Sequence, residues 1–236
     1  NRDQSFALCV SYLEPHPPHT GPLNELHDLL SLPTGPAFME RPAANVPLII
    51  RLMAAMYMES EEYGCDLRTE AGWREVMARY WGNTTLVDRS VAKILGTLSE
   101  CGLDEDTIVV FTSDHGEQMG DHGILGKTVM YEESVRVPLL LRAPMLEAEP
   151  RRIDGNFSHI DLVPTLLDLL DVPAPDSLQG KSRVPVLCGD DNLANNDVFI
   201  EWNGADGHPP ASIGEAEINR SMAQPLRTVV SAERWK

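Results

Sequence analysis

Each shortage in this sequence closes off a class of protein. Among its 236 residues are only four cysteines, Cys9, Cys65, Cys101 and Cys188. They form no Cys-x-x-Cys pair and no zinc-site spacing, and their order neither reveals nor excludes a disulfide. Bases are scarce as well: 19 Lys and Arg stand against 36 Asp and Glu, for a formal net charge of −17. The acids are scattered, as on a solvated surface, and there is no basic patch. No nucleic-acid or anionic-membrane partner is expected, because binding phosphates needs clustered cations. Nor does any apolar run approach the ~20 residues of a membrane span. The longest, such as Val-Pro-Leu-Leu-Leu at 137–141, are strand-sized. Internal repeats, an initiator Met and the basic start of a signal peptide are missing too. The chain runs almost at once into SFALCVSYLE, which reads as a buried strand with Cys9 inside it, and ends in RTVVSAERWK, a strand and turn without a partner. The expectation is a piece cut at both ends, which leaves compartment and oligomeric state open.

What is present is the composition of a globular protein, 42% hydrophobic and 23% charged, long enough for one large domain or one and a half. Prolines make 14–18 an extended loop beyond the first strand, and 20–47 a long surface loop with one helical turn near Leu23–Leu30. A helix is expected over 48–63. The clearest helix spans Trp73–Glu100, where Leu86, Val87, Val91, Ile94, Leu95 and Leu98 recur at helical spacing and Gly102 can end it. Cys101 then lies at the helix end. The segment Thr107–Thr112 reads as a strand and Val137–Arg142 as another. Ile160–Leu170 reads as a helix with Pro164 in its first turn or interrupting it, and Val198–Trp202 as a short strand. Residues 203–225 read as a loop.

The stretch TSDHGEQMGDHGILGK, residues 112–127, packs Asp114, His115, Asp121, His122 and Lys127 together with four glycines. It follows a strand directly, and ligand groups gather beyond the carboxyl ends of strands in open α/β sheets. Asp114 offers hard oxygens and His115 a neutral nitrogen, a pair suited to a divalent cation. The histidine favours manganese, zinc or iron over calcium on softness alone. Lys127 is a mobile cation for an anionic substrate or leaving oxygen. His16 follows an earlier strand in the same way. His19, His27, His159 and His208 are read as ordinary surface or core residues. Arg136 is read as a structural ion pair, and Asp121 and His122 as shaping the loop.

The run TSDHGEQMGDHGILGKTVMYEESVRVPLLLRAP resembles the sulfatase family within the alkaline-phosphatase-like superfamily. SYLEPHPPH, YWGNTTLVDRSVAKILGTLSECGLDEDTIVVFTSDHGE, SHIDLVPTLLDLLDVPAPDSLQGKS and RTVVSAERWK resemble further parts of it, in order. Residues 20–72 and 203–225 match nothing usable. The resemblance implies an α/β fold, a three-layer α/β/α sandwich with a mostly parallel central sheet, followed by the start of a small C-terminal antiparallel sheet. Residues 1–190 would be the C-terminal half of the catalytic domain and 191–236 the start of the small subdomain. It also implies hydrolysis of a sulfate monoester. Asp114 and His115 would be metal ligands. Lys127 and His16 would bind the sulfate and act in catalysis, with His16 a candidate acid for the leaving group. The metal implied is calcium, with manganese as the alternative.

The family's nucleophile is a formylglycine made from the first residue of a Cys-x-Pro/Ala-x-Arg motif (Ser in some members), and its remaining metal ligands are an aspartate pair. None of the four cysteines has that context, and the aspartate pair is absent. Both are expected in a half preceding Asn1, so the isolated chain is not expected to turn over. The acidic surface favours a small sulfate ester over a polyanion, and loops 20–47 and 203–225 are the candidates for specificity. Three rivals stand beside this reading: a phosphonate monoester or phosphodiester hydrolase, a cofactor-independent phosphoglycerate mutase, and a non-catalytic metal-binding remnant. The mutase loop resembles Ala-Asp-His-Gly-Asn, a poorer fit to Ser-Asp-His-Gly-Glu.

Overall fold

A computed structural model describes residues 4–146, 149–204, 219–221 and 223–231. The chain divides into two units, one of Asn1–Cys101 with Glu117–Gly126, the other of Gly102–Gly116 with Lys127–Lys236.

In the first unit, helix α1 (Leu48–Met58) leads into a two-stranded antiparallel hairpin of β1 (Glu61–Glu62) and β2 (Cys65–Asp66). Helix α2 (Glu70–Glu100) follows. Its start is written locally: the Thr69 hydroxyl accepts the Gly72 N–H at 3.1 Å, satisfying one of the orphan donors of the first turn. Cys101 caps its end and Gly102 turns out of it at φ +67°. The core lies against the N-terminal half of α2, where Trp73 and Val76 pack with Cys65, Leu67 and Leu125. Met77 and Ala78 pack on Leu32. The apolar stripe of the C-terminal half is only partly covered, with Ile94 37% and Leu95 40% exposed.

Residues 5–13 differ from expectation. They belong to no strand, and Cys9 is exposed rather than buried. Apolar, β-favouring composition specifies an extended backbone, but a strand also needs a neighbour for its N–H and C=O groups. Phe6, Leu8 and Leu13 are exposed, Leu8 to 71%. The isolated 236-residue chain is therefore expected to self-associate through this apolar segment. Leu8→Lys should raise the monomer fraction in light scattering and leave the thermal midpoint unchanged. An unchanged oligomer distribution would refute this.

Two tyrosines of this unit give it an alkaline limit. Burial, helped by the Glu117 carboxylate, pushes Tyr80 from 10.0 up to about 12. Burial, with Tyr63, Glu62 and Glu117, also pushes Tyr57 well up. The unfolded chain ionises first, so this stability is complete below the ordinary tyrosine value of 10.0 and is lost as pH rises towards about 12. Denaturant midpoints should fall across that window. Tyr80→Phe should flatten the fall, and a slope unchanged by it would contradict the assignment.

In the second unit, β3 (Val109–Thr112) pairs with β4 (Leu139–Arg142) in antiparallel register, Val110 opposite Leu141 and Thr112 opposite Leu139. The short helix α3 (Glu132–Val135) lies between them in sequence. Helix α4 (Leu162–Leu169) keeps Pro164 in its first turn, where no intrahelical N–H bond is lost. A third short helix, α5 (Val184–Cys188), ends on Gly189 at φ +92°. Strands β5 (Val198–Trp202) and β6 (Leu226–Val230) then pair antiparallel, Phe199 opposite Val229. The terminal RTVV strand therefore has a partner, contrary to the expectation of none. A mostly parallel sheet is likewise not what the described strands form: all three sheets are two-stranded and antiparallel.

One polar network is buried in this unit. The Arg183 guanidinium donates from Nε to Asp161 Oδ2 at 2.7 Å and from Nη2 to Asn196 Oδ1 at 2.7 Å. Asp161 Oδ1 accepts the Lys181 N–H at 3.0 Å. Asn196 Nδ2 donates to Asn156 O at 2.7 Å, and Asn156 Nδ2 to Val230 O at 3.1 Å. The start of α4 is thereby linked to β6.

Candidate active site

Strand β3 ends at Thr112, and the next three residues turn on their own hydrogen bonds. The Ser113 hydroxyl donates to His115 O at 2.8 Å and lies 3.3 Å from Asp114 Oδ1. The His115 N–H donates to the same carboxylate oxygen at 3.0 Å. Gly116 holds the far end: its N–H donates to Ser134 O at 2.8 Å. A Cβ there would stand 2.0 Å from Glu133 O, so only glycine fits against α3.

This turn brings Asp114 and His115 together. His115 Nε2 lies 3.5 Å from Asp114 Oδ2, with the two side chains 38% and 84% exposed. His115 Nδ1 sits 2.9 Å from Gly116 O. A carbonyl only accepts, so Nδ1 carries the proton and the neutral ring keeps its lone pair on Nε2, beside the carboxylate. Burial pushes the Asp114 carboxyl up, but the adjoining His115 and the hydrogen bonds from the turn outweigh it and hold it below its ordinary value. An anionic oxygen and an imidazole lone pair facing the same space suit a divalent cation. They are two ligands, and no cluster of three His, Cys, Asp or Glu forms among the described residues.

From Glu117 to Gly126 the chain belongs to the first unit. Asp121 is buried and bridges Phe38, and the His122 N–H donates to Ala37 O at 2.9 Å. Both residues thus shape the loop, as their sequence position suggested. Lys127 follows, half-buried, with no ion pair among the described residues. Thr128 turns the backbone at φ +83°, which a β-branched residue adopts only when its surroundings impose it.

His16 lies in the first unit on the proline-rich loop, exposed, with Nδ1 donating to Pro17 O at 3.0 Å and Nε2 left to accept. His19 anchors that loop. It is buried, donates from Nδ1 to Pro15 O at 2.8 Å, and stands edge-on to Tyr63 and Tyr80. His27 contacts Thr85, and exposed His159 lies 3.3 Å from Thr112 Oγ1. His208 is outside the described residues. Arg136 forms no ion pair among them, contrary to expectation: it sits on the exit of α3, where its N–H bonds Glu132 O. Sequence reasoning passed over Ser113 and Glu117. The signal for both was their place on either side of Asp-His-Gly.

The model of the sulfatase family matches residues 1–172. The chain belongs to the sulfatase family. Among curated relatives, this sulfatase chain is 33% identical to the multifunctional alkaline phosphatase superfamily protein PehA of Trinickia caryophylli, over 77% of its own length and 37% of PehA. It is 30% identical to arylsulfatase K of Xenopus laevis, over 88% of its own length and 41% of that protein. Its structure resembles the crystal structure of the phosphonate monoester hydrolase of Agrobacterium radiobacter, with a TM-score of 0.73 and 29% identity, covering 97% of this chain and 47% of that one. The sulfatase chain thus spans less than half the length of these relatives.

Proposed function

We propose that the complete protein is a metal-dependent sulfuric ester hydrolase acting on a small sulfate monoester. The observation that carries this is the Asp114–His115 pair at the end of β3, its imidazole held by the Gly116 carbonyl with the lone pair beside the carboxylate. Family membership supports the same reading. Asp114 and His115 would hold part of the shell of one divalent cation, which supplies Lewis-acid polarisation of the ester oxygens when bound. Calcium is our choice, because carboxylates dominate the family's ligand set and one histidine is tolerable; manganese is the alternative. Lys127 would neutralise the sulfate and the departing oxygen, and His16 would hand a proton to the leaving alcohol.

The nucleophile would be a formylglycine outside this chain. The finer architecture belongs to the same proposal: a three-layer α/β/α sandwich with a mostly parallel central sheet, residues 1–190 in the catalytic domain and 191–236 opening the small C-terminal sheet. The likeness to a phosphonate monoester hydrolase favours a second reading, hydrolysis of phosphonate monoesters or phosphodiesters by the same residues.

Calorimetric titration of this chain with calcium and with manganese tests the metal assignment. The expected result is weak binding of one ion, abolished by His115→Ala. Binding that survives this change would remove His115 from the shell. Comparing aryl sulfate with aryl phosphonate turnover in the complete protein decides between the two esters, and turnover of neither would sink both.

A further inference from the structure

The chain leaves the second unit after Gly116 and returns to it at Lys127, and the ten residues between are closed on themselves. The closure has two bonds. The Gln118 N–H donates to Gly126 O at 2.9 Å. The Gly126 N–H donates to the Glu117 Oε1 carboxylate oxygen, which also lies 3.5 Å from the Met119 N. Inside the closure the Gly120 N–H donates to Ile124 O at 3.0 Å, and Ile124 and Leu125 are fully buried. Gly126 takes φ +92°, which presents its N–H to the carboxylate and sends the chain on to Lys127.

We infer that Glu117 is a positioning residue for Lys127. Its carboxylate joins the first residue after the Asp-His-Gly turn to the last residue before the lysine. The distance along which Lys127 can stray from His115 is then set at this neck, where the charge-assisted bond from Glu117 adds to the backbone bond between Gln118 and Gly126. Such a bond is about twice as strong as a neutral one, and loops closed at the neck keep their ends in place. A lysine side chain is long and rotatable, so fixing its backbone origin is the means by which the fold can aim it. The inference rests on the proposed role of Lys127 in holding a sulfate.

The test uses the isotope-labelled 236-residue chain and its Glu117→Gln and Glu117→Ala variants. Amide exchange at Gly126 is expected to rise about 10- to 100-fold in the Ala variant and less in the Gln variant, which keeps an acceptor oxygen. Exchange at Val76 in the core should be unchanged in both, which establishes that the fold is intact. The signal of the dimethylated Lys127 amine should lose its dispersion in the Ala variant and recover in the Gln variant. Unchanged Gly126 exchange, or an unchanged Lys127 signal, in the Ala variant overturns the inference. Inorganic sulfate is then added. A wild-type Lys127 signal that responds, and a weaker response in the Ala variant restored in the Gln variant, supports positioning for the anion; an equal response in all three overturns it. A wild-type signal indifferent to sulfate defeats the sulfate role of Lys127 instead, and the clamp is then judged on the first two signals alone.

Discussion

Asp161→Ala is expected to lower stability by about 3–5 kcal/mol, the cost of leaving a buried cation uncompensated. Asp161 and Arg183 have side chains only 4% and 6% exposed, and the guanidinium reaches Asp161 Oδ2 at 2.7 Å from Nε and 2.5 Å from Nη2. Removing the carboxylate strands that charge and also releases the Lys181 N–H. Water cannot enter to repair either without opening the packing around Thr165, which is buried in α4 and bonds both Asp161 and Arg183. The loss should spread to β6, because Arg183 holds Asn196, Asn196 bonds Asn156 and Asn156 bonds the Val230 carbonyl.

Breaking the exposed pair Arg227–Glu201, with both side chains 56% exposed, should cost only about 0–1 kcal/mol. Urea midpoints of the two variants make the comparison. An Asp161→Ala loss no larger than that of Glu201→Ala would show that the buried pair contributes nothing beyond a surface one. Replacing both Asp161 and Arg183 by apolar residues should recover much of the loss, since the cost comes from the unpaired charge.

Lys127→Ala in the complete protein is expected to lower kcat for an aryl sulfate by about 10²–10³-fold, the usual loss when one group aimed at developing negative charge is removed. Stability should be unaffected, because Lys127 forms no ion pair among the described residues. Lys127→Arg should restore little, since a planar fork does not replace a compact ammonium aimed at one oxygen. Turnover within threefold of wild type in the Ala variant would remove Lys127 from the reaction. The same variant assayed on a phosphonate ester separates a general anion-binding role, which both substrates would report, from one peculiar to sulfate.

Helix α2 was legible because its information is local: apolar residues at helical spacing and Gly102 after the end, although its start at Thr69 and Glu70, one turn ahead of Trp73, was not read. Strands β3, β4 and β5 were legible as strands for the same reason. The reading of 5–13 as a buried strand failed because composition says only that a segment is extended. Whether Cys9 is covered depends on a neighbour that no window of sequence contains. The candidate site divides in the same way. Adjacent Asp114 and His115 were visible as a metal-suited pair. Which imidazole nitrogen faces the carboxylate was not, because that depends on the bend that puts Nδ1 against the Gly116 carbonyl.

The sequence by itself determined the chemistry available at the end of β3, the existence of helices α1, α2 and α4, and the family, each carried by residues close together along the chain. Tertiary structure alone decided that β3 and β4 run antiparallel, that β6 finds β5, that Asp161 meets Arg183 across 22 residues, and that Glu117 closes on Gly126. The reason is one of range. Propensity, capping and turn chemistry act over a few residues, whereas pairing, burial and the partner of a charge are set by groups that only folding brings within hydrogen-bond reach.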